Sequence, residues 1–216
     1  MLEKYQEEIR KYLIYINREE FEYDINISLK YRYVYVETPK VACSTIKDTL
    51  QRMELDYPEL IRDDANDLHR RSYSPLLTPS QTCGFDRLLT SQNYFIFCFV
   101  RNPYTRLLSA YLEKIVKGKD AKRNILIAMG EDPSNLSKEI SFQEYVDTVC
   151  EQSISQMNLH WRVQYYQTFQ DSIDSDFIGK LDNFKNDSAC VFSKIRVYYD
   201  EYSRSVIMLA TFSEML

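Results

Sequence analysis

The run Tyr94-Phe95-Ile96-Phe97-Cys98-Phe99-Val100 has no polar residue at any position. A strand-length stretch of this kind has no side to turn toward water, so it belongs in a sheet covered on both faces, the usual state of parallel strands flanked by helices. It ends at Arg101-Asn102-Pro103. Pro103 suits the first turn of a helix, and Leu107, Leu108 and Tyr111 recur on one of its faces, so a helix is predicted to run to about Val116 and stop near Gly118. Arg101 then stands at the carboxyl end of a buried strand, with Ser109 two turns into the helix that follows.

A second unit has the same grammar. Tyr33 to Val36 read as a strand, Glu37-Thr38-Pro39 as a turn, and a helix is expected from about Ser44 to Leu55 with Ile46, Thr49, Leu50 and Met53 facing inward. Between turn and helix lie Lys40, Val41, Ala42, Cys43, Ser44 and Thr45. The first amides of a helix lack intrahelical partners and sit at the positive end of its dipole, so this is a recipe for holding an anion, with Lys40 adding a full charge. The same residues also read as an ordinary helix start capped by Ser44 or Thr45. No GxxxxGK[ST] is present, so the loop is not that of a standard ATP-binding protein. Ligands of open α/β sheets bind outside the carboxyl ends of the strands, where both units point.

These residues carry a resemblance. TPKVACST at Thr38 to Thr45 resembles the 5′-phosphosulfate loop of sulfotransferases, and FVRNPYTRLLSAY at Phe99 to Tyr111 resembles their 3′-phosphate motif. His160-Trp161-Arg162, followed by Asp176 to Phe184, resembles a third block of the carbohydrate sulfotransferases, the family of the chondroitin, dermatan and natural-killer-epitope enzymes. The likeness spans Tyr33 to Ile195.

The resemblance implies an α/β, P-loop-NTPase-like sulfotransferase fold with a central parallel sheet flanked by helices, in a single domain over residues 1–216. It implies that Lys40 to Thr45 bind the 5′-phosphosulfate of 3′-phosphoadenosine 5′-phosphosulfate, that Arg101 and Ser109 grip the 3′-phosphate, and that adenosine 3′,5′-bisphosphate leaves as product. The acceptor it implies is a hydroxyl of a carbohydrate or glycolipid, as in polysaccharide biosynthesis. Lys40 would stabilise the leaving phosphate, so no metal is required. Asn102 and Asp182 stand where the family usually has Asp and Glu, and Asp200 to Leu216 match it poorly.

Transfer to a hydroxyl needs a proton acceptor, and the chain has only two histidines. By the resemblance, a histidine after the first βα unit serves this role, which points to His69 in the polar stretch Arg62 to Leu77. His160 is the alternative base, or else it orients the donor or packs beside Trp161. Two other classes stay open: a P-loop-like kinase and a non-catalytic nucleotide-binding module. Arg101 occupies the strand end where a P-loop ATPase keeps its magnesium-holding Asp, against the first. Intact Lys40, Ser44, Arg101 and Ser109 weigh against the second.

The net charge of −5 excludes general affinity for nucleic acid. The five cysteines show no CxxC spacing and read as reduced thiols, with no zinc site. Charges interrupt the N-terminal MLEKYQEEIRKYLIYINREE throughout, so neither a secretory signal nor a transmembrane segment is expected. A cytoplasmic bacterial location follows as an expectation, unless a Golgi anchor has been removed.

Elsewhere, Leu2 to Ile16 follow helical spacing for about four turns, and Asp24 to Ser28 read as a loop or short edge strand. Lys114, Lys117 and Lys119 form a basic helix end, either a solvated cap or a lure for an acidic glycan. Lys119 to Ser137 read as an open connection containing the apolar piece Ile125 to Met129. Ser141 and Glu144 have capping-box spacing ahead of a helix, Asp176 to Leu181 suit a strand and Phe184 to Ile195 a helix.

Overall fold

A computed structural model describes residues 2–195, other than Asp63, Cys83, Gln92 and Lys119. The expectations for Lys119 and for Val197 onward lie outside the described residues. Four strands form one sheet in sequential order: β1 (Ile25–Ser28), β2 (Tyr33–Val36), β3 (Phe95–Val100) and β4 (Phe177–Lys180). β2, β3 and β4 are parallel, while β1 pairs antiparallel to β2. The central parallel sheet is thus extended into a mixed one. Only the short turn Leu29 to Arg32 joins β1 to β2, with Arg32 at a φ of 53°, and a link this short permits a hairpin but no parallel crossover.

The period of two sorts the strand side chains between two cores. Val34, Val36, Ile96 and Cys98 pack with Ile9, Tyr12, Phe21 and Phe85 on one face. Tyr33, Tyr35, Phe97 and Phe99 face the other way, onto Ile46, Leu50, Met53, Val191 and Phe192. The apolar run of β3 is therefore covered on both sides.

The N-terminal helix is shorter than its hydrophobic spacing implied. α1 (Leu2–Ile9) passes into a 3₁₀ turn at Arg10–Tyr12, and a second helix, α2 (Arg18–Asp24), starts where Asn17 accepts the Glu20 amide at 2.9 Å. Next come α3 (Cys43–Glu54), with the expected Ile46, Thr49, Leu50 and Met53 buried, α4 (Phe85–Leu89) and α5 (Pro103–Ala110). Asn102 caps α5 by accepting the amides of Tyr104 and Thr105, work an Asp would do equally well. Leu108, expected on the inner face of α5, is exposed; Arg106 and Ala110 occupy the buried side instead.

After α5 the helix widens into a π turn at Tyr111–Val116. α6 (Lys122–Ala128) then occupies what the sequence presented as an open connection, because Ile125 and Leu126 bury against Trp161 and Tyr145. α7 (Phe142–Glu151) begins with the expected capping box, α8 (Gln164–Gln167) is a single turn, and α9 (Phe184–Lys194) returns to the sheet.

Gly179 in β4 is packed against the ring of Phe99, where an added Cβ would lie 2.4 Å from a ring carbon. Gly179→Ala is expected to destabilise the fold by about 1–3 kcal/mol through this overpacking. Chemical denaturation should show the midpoint falling; an unchanged midpoint would mean that the ring moves aside freely.

Candidate active site

The chain leaves β2 through Glu37, and Lys40 (φ 68°) and Ala42 (φ 52°) then adopt left-handed backbone. Residues with a Cβ hold that conformation at a cost on the order of 1–3 kcal/mol each, and such strain collects where a loop must present its amides in one direction. Ala42 is the N-cap of α3 and supplies no side-chain bond, so neither Ser44 nor Thr45 caps this helix. The first-turn amides are left toward a cleft of about 490 Å³ lined by Lys40, Ala42, Cys43 and Ser44.

Two buried cations brace the loop from below. Lys47 of α3 pairs with Glu37, both side chains being about 2% exposed, and its ammonium lies 4.2 Å from the Tyr23 ring centroid. Arg106 of α5 donates to the carbonyls of Pro39 at 3.0 Å, Arg162 at 2.7 Å and Leu159 at 2.9 Å. Burial lowers Arg106 to about 10, which leaves it cationic at neutral pH.

The far wall comes from α5 and the π turn. A π turn bonds i to i+5, so Ser109, Glu113 and Lys114 can share one side of the helix, and all three line the cleft. Lys40 is ion-paired with Glu113. Arg101 donates through Nε to Thr105 Oγ1 at 3.0 Å and through Nη1 to the carbonyl of Lys40 at 3.3 Å, while Gln164 bonds its backbone in both directions. Lys40, Arg101 and Ser109 therefore border one cleft although they come from three segments.

Both histidines border it too. His69 bridges Tyr23 OH through Nδ1 and Ser44 Oγ through Nε2, each at 3.0 Å. Arg71 fixes its polar loop by donating to the carbonyls of Glu22 and Tyr23. Burial, and then the charge of Lys47, hold His69 below its ordinary value, so it is neutral at pH 7. His160 is pushed down to about 3 by burial, Lys114 and Lys40.

Two members of the expected anion loop stand apart. Val41 is fully buried in the core, so only its backbone can serve a ligand, and Thr45 is not among the residues lining the cleft. Burial and the Glu37 charge raise the Cys43 thiol to about 11, so it is no thiolate nucleophile. Glu113, Tyr23 and the Glu37–Lys47 pair were not singled out from the sequence. Glu113 could have been, since it follows Ser109 by four residues on a helix already expected to meet the site. Lys114, read either as part of a solvated cap or as a lure for an acidic glycan, lines the cleft.

Among the described residues no group of His, Cys, Asp and Glu gathers as a metal site, and no helix is long and apolar enough to cross a membrane.

Comparison with known proteins bears on what this cleft belongs to. The chain is 28% identical over 178 residues to mouse carbohydrate sulfotransferase 14, covering 80% of this chain and 46% of the relative. It is 26% identical over 207 residues to mouse carbohydrate sulfotransferase 12, covering 81% and 49%, and 26% identical over 170 residues to rat carbohydrate sulfotransferase 11, covering 72% and 48%. It thus spans about half the length of these curated relatives. No solved structure matches it significantly. The model of the sulfotransferase family matches residues 23–207, which include the anion loop, both histidines and the π turn. The chain belongs to the sulfotransferase family.

Proposed function

We propose that this protein moves a sulfuryl group from 3′-phosphoadenosine 5′-phosphosulfate to a hydroxyl of a carbohydrate or glycolipid acceptor. The observation that carries this reading is the convergence of Lys40, the first-turn amides of α3, Arg101 and Ser109 on one cleft. The loop residues present N–H donors and the Lys40 charge to the phosphosulfate end. Arg101, whose Nη2 has no acceptor among the described residues, and Ser109 suit the second, 3′-phosphate.

The acceptor oxygen forms a bond to sulfur as the bond from sulfur to the bridging phosphate oxygen breaks, and that oxygen keeps the electron pair. Lys40 stabilises the charge building there. The ion pair with Glu113 holds Lys40 in place beforehand.

His69 takes the hydroxyl proton. Its Nε2 is shared with Ser44 Oγ, and when Ser44 turns its hydroxyl toward the phosphosulfate, the nitrogen becomes available to the acceptor. An imidazole that burial keeps neutral at pH 7 suits this task. His160, at about 3, is too weak a base for it near pH 7.

Calorimetry should find adenosine 3′,5′-bisphosphate binding at micromolar Kd, about −8 kcal/mol, well above ATP or adenosine 5′-phosphate. A preference for ATP would refute the donor assignment. Arg101→Ala should abolish the preference for the bisphosphate over adenosine 5′-phosphate, whereas Lys40→Ala should depress turnover far more than affinity.

His69→Ala should lower turnover by about 10²- to 10⁴-fold with bisphosphate affinity nearly intact. Because His69 is active unprotonated and its ordinary value is lowered, kcat/KM of the parent should fall on the acid side with a midpoint below roughly 6.5. Turnover within about threefold of the parent, or an acid limb that survives the substitution, would exclude His69 as the base.

A further inference from the structure

Beside the donor cleft lies a second cavity of about 400 Å³, bordered by Asp120, Ala121, Asn124 and Asn158 and sharing Lys114 and His160 with the cleft. Its walls come from the end of the π turn, from α6 and from the segment before Trp161. The size suits a small polar ligand.

The hydrogen bonds fix what each side chain presents. The backbone N–H of His160 donates to Asn158 Oδ1 at 3.1 Å. A backbone N–H can only donate, so this end of the Asn158 amide is its oxygen. The Nδ1 of His160 meets the same oxygen at 2.7 Å and must therefore carry the ring proton. Nε2 is left as a bare lone pair, with no partner among the described residues.

The other end of the Asn158 amide, Nδ2, donates to Asn124 Oδ1 at 3.2 Å. That oxygen is occupied, so the two N–H groups of Asn124 remain for a ligand. The shared rim thus offers an amide donor from Asn124 and an acceptor from His160 Nε2, with the Asp120 carboxylate, which pairs with Arg123, and Lys114, which pairs with Glu113, beside them.

We propose that this cavity binds a sugar ring of the acceptor through its hydroxyls, with His160 Nε2 accepting from one hydroxyl while its neighbour projects into the donor cleft. Alternating donors and acceptors around a small polar cavity match a ring of hydroxyls, each of which gives and takes one bond. Such a site rests on the sulfuryl-transfer reading for the role of the adjoining cleft. It makes His160 a residue that binds the acceptor, distinct in role from His69, and makes Asn158 a positioning residue that sets the His160 tautomer. The depressed basicity of His160 agrees with a ring that accepts a hydrogen bond without taking the proton.

With two histidines in the chain, imidazole nitrogen NMR can watch each separately. Protein saturated with adenosine 3′,5′-bisphosphate is titrated with a panel of neutral and uronate-containing oligosaccharides. Free His160 should show the neutral Nδ1–H tautomer, and a bound oligosaccharide should move its Nε2 resonance in the direction of an accepted hydrogen bond. Asn124→Trp, on the exposed side of α6, should fill the cavity and weaken oligosaccharide binding by about tenfold or more, while bisphosphate affinity stays within about threefold.

The opposite tautomer in the free protein overturns the proposal. So does binding that leaves His160 Nε2 unmoved, equal binding by Asn124→Trp, or no binding by any member of the panel. Failure of the donor reading is seen separately, as loss of bisphosphate selectivity in the parent before any sugar is added.

Discussion

The guanidinium of Arg106 is the point on which the site's geometry depends. Its three carbonyl acceptors lie on the anion loop, at Pro39, and on the segment around His160, at Leu159 and Arg162. One cation thus ties α5 to two segments distant in sequence. Removing it would leave two buried carbonyls, of Pro39 and Arg162, without this donor, at about 1–3 kcal/mol each, and would free the half-buried carbonyl of Leu159. Arg162 extends the same network, donating to Gln167 and Glu20, and Gln167 reaches buried Asp24 at the end of α2. The polar groups next to the cleft are held by one another rather than by solvent, so an ordered site can exist without glycine in its loop.

Charge in the cleft is arranged as opposed pairs. Glu37 neutralises Lys47 beneath the loop, and Glu113 engages Lys40 within it. The buried pair is structural, since removing either partner would strand a charge away from water. The pair at the surface of the cleft can be exchanged for another anion, because Lys40 and Glu113 still reach solvent.

Much of this was legible in the sequence because the two βα units are local patterns. The apolar run of β3, Pro103 at the start of α5 and the inner face of α3 each follow from spacing alone, and they bring Lys40, Arg101 and Ser109 to one sheet edge. What escaped depends on contacts between distant segments. The helix expected over Leu2 to Ile16 stops at Ile9 and a 3₁₀ turn, and α2, which starts beyond it at the Asn17 cap, was not anticipated. The burial of Arg106 in place of Leu108 is decided by carbonyls some 50 to 70 residues away in the chain. α6 is short, and it holds through burial of Ile125 and Leu126 against Trp161 and through Lys122, which donates to the carbonyls of Leu136 and Lys138. The π turn leaves no sequence signature at all, so the approach of Lys114 to the cleft beside Glu113 could not be read from helical periodicity.

That π turn also makes chain length a constraint. Its wider turn keeps Ser109, Glu113 and Lys114 in line, whereas in an ordinary helix each added or lost residue rotates everything beyond it by about 100°. Deleting one residue between Ser109 and Gly118 would restore α geometry, in which Ser109 keeps only one of Glu113 and Lys114 on its side while the helix beyond stays close to its original register. The side of the helix on which Glu113 and Lys114 meet the cleft is therefore encoded as a residue count.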